Sequence, residues 1–130
     1  MPIKTKWLVE GRVILSVYTG DVTKPEYIDA NNVMNRLLNQ GQFPVHVIID
    51  HDDAESVPTN ITETLTLLTW LAHDNLGWHL ISRPRAEVKF TSAVVSQAND
   101  NRYREFPDRI HALEFLEEID DSLKGHLLED

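Results

Sequence analysis

Apolar and polar positions alternate between two periods along the chain, and the switches between them predict its elements. Trp7-Leu8-Val9 and Val13-Ile14-Leu15-Ser16-Val17-Tyr18 are β-rich runs around Glu10-Gly11-Arg12, the signature of a hairpin. After Thr19-Gly20-Asp21-Val22 the period lengthens. Thr23 and Glu26 have capping-box spacing and Pro25 sits in the first turn, where a missing N–H does no harm. Tyr27, Ala30, Met34, Leu37 and Leu38 then recur at helical intervals, which predicts an amphipathic helix ending near Asn39 to Gly41.

Val45 to Ile49 is nearly continuous β-branched sequence, as expected of a strand buried on both faces and ending at Asp50. A polar loop follows from His51 to Thr59, placed at the carboxyl edge of the sheet. Asn60 and Glu63 form a second capping pair, and Ile61, Leu65, Leu68 and Ala72 give a helical stripe. Trp78 to Ser82 reads as a strand. Ala86 to Ala98 is ambiguous: Val88, Thr91, Val95 and Ala98 suit a helix, whereas Val88-Lys89-Phe90-Thr91 suits a short strand. Tyr103 to Phe106 reads as an edge strand. Pro107-Asp108 opens a last helix with Ala112, Phe115, Leu116, Ile119 and Leu123 facing inward, and residues 124–130 are expected to fray.

The order is β-β-α-β-α-β-α-β-α. Strands separated by helices need crossover connections, so the expectation is one α/β domain over residues 1–123 with a mixed, mostly parallel sheet. The length of 130 residues fits one core. The chain has no cysteine, which excludes disulfides, thiolate nucleophiles and cysteine-ligated metals. With 21 acidic against 12 basic residues, the net charge of −9 disfavours nucleic-acid and anionic-membrane partners. Arg83, Arg85, Arg102 and Arg104 read as a solvated rim offsetting nearby acids. The opening "MPIKTKWLVEG" lacks a signal-peptide apolar run and no stretch nears transmembrane length, so a cytoplasmic location is expected.

This pattern resembles the STAS domain, the fold of bacterial anti-sigma factor antagonists. The residues that carry the resemblance run from Trp7 to Leu123. They include Gly20-Asp21-Val22-Thr23 before the first helix, Val47-Ile48-Ile49-Asp50 in the central strand and the closing "FPDRIHALEFL". Phosphorylatable members carry Asp-Ser-Ser/Thr-Gly about eight residues beyond the central aspartate. The corresponding positions here are Pro58, Thr59, Asn60 and Ile61, so only a hydroxyl at Thr59 is kept. The resemblance implies a non-catalytic regulatory or protein-interaction module.

The densest polar chemistry is the loop of His51, Asp52, Asp53, Glu55, Ser56, Thr59 and Asn60. As a metal site it lacks the alternating acids and central glycine of a calcium loop, and no His-x-x-x-His supplies partners, so no metal or cofactor is expected. Ser56 and Thr59 are candidate phosphoacceptors beside a helix N-terminus, opposed by the repulsion of three acids. The preferred reading is a recognition loop built on helix capping, with Asn60 holding Ser56 and Thr59 outward toward a protein partner with a basic surface. A homodimer is left open. His46 and His79, flanked by apolar residues, read as core histidines, while His73, His111 and His126 read as solvated; no catalytic motif is present. Trp7, Trp70, Trp78, Tyr18 and Phe90 pack a core, or line an apolar cleft that would take a small molecule or lipid.

Overall fold

The computed structural model describes residues 2–127. Nine elements follow the predicted order: β1 (Ile3–Val9), β2 (Val13–Asp21), α1 (Lys24–Gln40), β3 (Val45–Ser56), α2 (Ile61–Leu67), β4 (Leu76–Ser82), α3 (Ala86–Ala98), β5 (Arg102–Phe106) and α4 (Arg109–Ile119), with short 3₁₀ turns at Thr69–Ala72 and Asp121–Leu123. The ambiguous stretch from Ala86 is a helix, whose buried residues Val88, Thr91 and Val95 make the helical stripe.

The strands lie in the order β1-β2-β3-β4-β5, with β1 antiparallel to β2 and every other pair parallel. Each crossover steps one strand in the same direction, so a constant right-handed connection puts α1, α2 and α3 on one face. Their side chains accordingly share one core: Tyr27, Met34 and Leu38 of α1, Leu68, Trp70 and Leu71 after α2, and Val95 of α3 meet Ile14, Val47, Ile49 and Ile81 of the sheet. The opposite face is left to α4, where Ala112, Leu113 and Leu116 pack on Leu15, Ile48 and Leu80.

Local chemistry sets the helix ends. The Glu26 carboxylate accepts the Thr23 backbone N–H at 2.7 Å and its hydroxyl at 2.9 Å, as the capping spacing predicts. The second helical stripe does not run through to Ala72. At Leu68 the helix gives way to a 3₁₀ turn, because buried Asn31 on α1 accepts the Trp70 N–H at 3.0 Å and draws that turn toward α1.

The expected fraying tail also differs. Lys124 and His126 are exposed, but Leu127 is buried in the second core, and its N–H reaches the Glu117 carboxylate at 3.0 Å. Residues 128–130 of that tail lie outside the described residues. Ile119 and Phe115, expected to face inward, are exposed and half-buried respectively. No helix among the described residues is long and apolar enough to cross a membrane.

Candidate functional site at the carboxyl end of the sheet

β3 does not stop at Asp50. It continues to Ser56, so residues 51–56 are strand and only residues 57–60 form a connection to α2. The reason is the neighbour: β2 runs on to Asp21 and supplies partners, pairing Thr19 with Asp53, Gly20 with Ala54 and Asp21 with Ser56. A strand ladder is held by backbone groups, so polar side chains do not prevent it. β4 gives no such support, since its pairing with β3 ends at Asp50 opposite Ser82. Among the described residues, β3 beyond Asp50 is therefore paired on one edge and open on the other.

The extension sorts the predicted site residues. His51 and Ala54 are buried, whereas Asp52, Asp53, Glu55 and Ser56 are exposed. Ser56 donates its hydroxyl to Asp21 at 2.7 Å, where a phosphate would meet a carboxylate. Thr59 is half-buried rather than held outward, and its carbonyl accepts the Thr91 hydroxyl from α3 at 3.0 Å. Asn60 caps α2, its Oδ1 accepting the Glu63 N–H at 3.0 Å. Replacing Asn60 with Ala should cost about 1 kcal/mol in a urea melt, because a short helix loses a satisfied first-turn donor. An unchanged midpoint would show that tertiary packing alone holds α2.

At the base of the extension Asp50, only 2% exposed, accepts Arg109 Nε at 2.8 Å and also Nη2. Its other oxygen accepts the Asp52 N–H at 2.8 Å. Asp52 Oδ1 in turn accepts the Ser82 hydroxyl at 3.1 Å and lies 3.9 Å from Arg83 Nε. Burial and then the Asp50 carboxylate raise the Asp52 pKa above the ordinary aspartate range. Asp50, Asp52, Asp53 and Glu55 outnumber the two cations that meet them here, Arg83 and Arg109. His51 points inward while Asp53 and Glu55 face solvent, and no cluster of three metal-ligating side chains forms among the described residues.

Beneath the extension lies a cavity of about 30 Å³ between the sheet and α2, α3 and the 57–59 connection, with Ile49, His51, Trp70, His79, Ile81 and Val95 in its walls. The His51 ring packs 4.9 Å from Tyr18, and its buried Nδ1 has no hydrogen-bond partner among the described residues. His79 Nδ1 pairs with Ser96 Oγ at 3.0 Å, and its ring meets Trp70 edge-on at 5.1 Å. Burial pushes His51 down to about 4 and His79 down to about 3, so both are neutral near pH 7. Of the aromatics expected together, only Tyr18 and Trp70 line this cavity. Trp78 packs on the opposite face against Phe115, and Phe90 is 66% exposed.

Sequence reasoning missed a second constellation at the other end of the sheet. Asp120 Oδ2 bonds Arg12 Nη2 at 2.8 Å and His46 Nε2 at 3.1 Å, while Oδ1 accepts the Ser122 hydroxyl and N–H. Burial opposes the Asp120 charge, but the Ser122 and His46 hydrogen bonds and the Arg12 guanidinium hold its pKa down at about 2. The pair looks like an acid–base dyad, yet His46 Nδ1 accepts the Trp78 backbone N–H at 3.1 Å. That bond occupies the lone pair a general base would use, so the network is structural. Its members are 74 residues apart in sequence, and no local pattern signals it.

No family model matches the chain, and no curated protein does. Among solved structures, it is similar to an uncharacterized protein of the DUF3478 family with a SpoIIAA-like fold from Shewanella loihica PV-4. The TM-score is 0.63 at 13% identity, covering 88% of this chain and 91% of that one. At that identity the likeness concerns architecture, and it agrees with the strand order and mixed sheet described above: the fold is SpoIIAA-like, that is, STAS-like.

Proposed function

We propose that this protein is a non-catalytic interaction module of STAS-like fold, recognising a partner through the extended carboxyl end of β3. The observation that carries the reading is the open strand edge beyond Asp50, bearing the exposed carboxylates of Asp52, Asp53 and Glu55. Rigid presentation supports it. Ala54 is buried, Ser56 is tied to Asp21, and the Val22 N–H closes on the Ser56 carbonyl at 2.8 Å. A stiff acidic edge favours a basic protein surface, and the net charge of −9 disfavours nucleic acid. The His46 geometry, with its base lone pair engaged, supports a non-catalytic role.

Changing Asp53 and Glu55 together to Ala should leave folding intact by circular dichroism. Partner capture from the native host should weaken, and the difference should shrink at high salt, where exposed charges are screened. A folded double variant that captures every partner equally well would contradict the reading.

The cavity supports a second reading, a binding domain for a small, mainly apolar molecule. The unpartnered, buried His51 Nδ1 favours it, since such an atom calls for one hydrogen bond from a guest. A volume of about 30 Å³ holds roughly two waters, so a larger guest requires α2 to shift. Of the seven residues in α2 only Thr64 is buried, which keeps the cost of such a shift low.

A further inference from the structure

We infer that the open edge of β3 at residues 51–56 takes up its partner by strand addition, the partner being an extended, basic segment of a protein chain. The inference rests on the interaction reading above and names the mode and chemistry of recognition. A β-strand has two hydrogen-bonding edges. In this segment β2 occupies one of them, while β4 leaves the sheet after Ser82 and turns at Arg83, whose backbone adopts a left-handed φ of 53°. The Arg83 N–H is then spent on the Phe106 carbonyl at 2.8 Å, on the β5 side and away from β3. The chain therefore diverts its own next strand, and among the described residues that edge is unpaired beyond Asp50, the arrangement into which an added strand fits.

Charge decides which strand. An antiparallel second copy would bring Asp52, Asp53 and Glu55 against the same acids, and like charges facing across a ladder are unfavourable, so self-pairing at this edge is disfavoured. A segment with basic residues meets complementary carboxylates instead. A shallow pocket lies beside the edge, between residues 54–57 and the start of α3 at Arg85, Glu87 and Val88. His51 also lines it, with an Nδ1 that has no hydrogen-bond partner among the described residues. Glu55 and Glu87 add negative charge there, against one cation in Arg85. By contrast, the outer edge of β1 carries Lys4 and Lys6, the residues with which strands protect an edge from pairing.

The test uses the full chain and three synthetic octapeptides: alternating Lys-Val, alternating Glu-Val, and the Lys-Val peptide with alternate backbone nitrogens methylated. Amide hydrogen exchange and ¹⁵N chemical shifts locate binding. The Lys-Val peptide should protect amides within residues 51–56, and both the Glu-Val and the N-methylated peptides should bind at least tenfold more weakly. An Asp53→Asn, Glu55→Gln variant should also weaken Lys-Val binding at least tenfold. Equal binding of the methylated peptide would overturn strand addition while leaving an electrostatic docking surface, and the interaction reading, in place. If the Lys-Val peptide does not protect residues 51–56, the inference fails. If, in addition, the Asp53→Ala, Glu55→Ala variant captures partners normally, the interaction reading fails with it.

Discussion

Lowering the pH from 7 to 5 should cost the folded state about 4 kcal/mol at the two histidines that share the cavity, a loss that the raised pKa values of Asp52 and His111 partly offset. His51 and His79 are 6% and 4% exposed, and burial depresses their folded-state pKa values to about 4 and about 3. In the unfolded chain both return to about 6.5. Their contribution is therefore fully present above pH 6.5, where both states are neutral. It falls as pH drops, because the unfolded chain takes up protons that the folded one refuses. At pH 5 each histidine has lost about 2 kcal/mol. His46 is also shifted down by burial, although the Asp120 carboxylate opposes the shift, so it adds to the slope in the same direction. Asp120, held at about 2, loses its contribution as pH falls through the ordinary aspartate range toward 2, which separates most of its effect from that of the histidines. Urea unfolding at pH 7, 6 and 5 measures the slope, and His79→Asn, which cannot titrate, should remove about half of it. A flat profile over this range would mean that the cavity admits enough water to solvate a charged ring.

Truncating Arg109 to Ala should cost about 3 kcal/mol, since Asp50 would be left charged and buried with its cation gone. Asp52 sits on the same carboxylate and would then face it without the guanidinium. The gross value of the pair is not the point, because Arg109 is itself partly solvent-accessible. What costs is the orphaned charge. A second change, Asp50→Asn in the Arg109→Ala background, should therefore restore stability rather than subtract from it. Chemical denaturation of the three proteins at pH 7 decides this, and a double variant less stable than Arg109→Ala would show that the carboxylate has other partners that keep it satisfied.

Much of the architecture was legible because apolar periodicity and capping are local. The β-branched run at 45–49, the Thr23–Glu26 pair and the Asn60–Glu63 pair each predict their element without knowledge of its surroundings. The end of β3 was not legible, for a physical reason. His51-Asp52-Asp53-Ala54-Glu55-Ser56 has neither β propensity nor alternation, and it is strand because β2 extends beside it. Burial of His51 follows from that extension, so a residue expected to face a partner faces the core instead. The break of the second helical stripe depends on Asn31, 39 residues away from Trp70, and the burial of Leu127 depends on its packing beneath α4. Long-range polar pairings leave no periodic trace in a sequence.

Partner recognition by the extended end of β3 can be read by titrating ¹⁵N-labelled protein with a purified captured partner and following every backbone amide. The largest shifts should fall within residues 51–56 and the adjoining start of α3, while Trp70, Ile81 and Val95 in the cavity walls move little. Shifts concentrated at Trp70, Ile81 and Val95, with residues 52–56 unmoved, would contradict it.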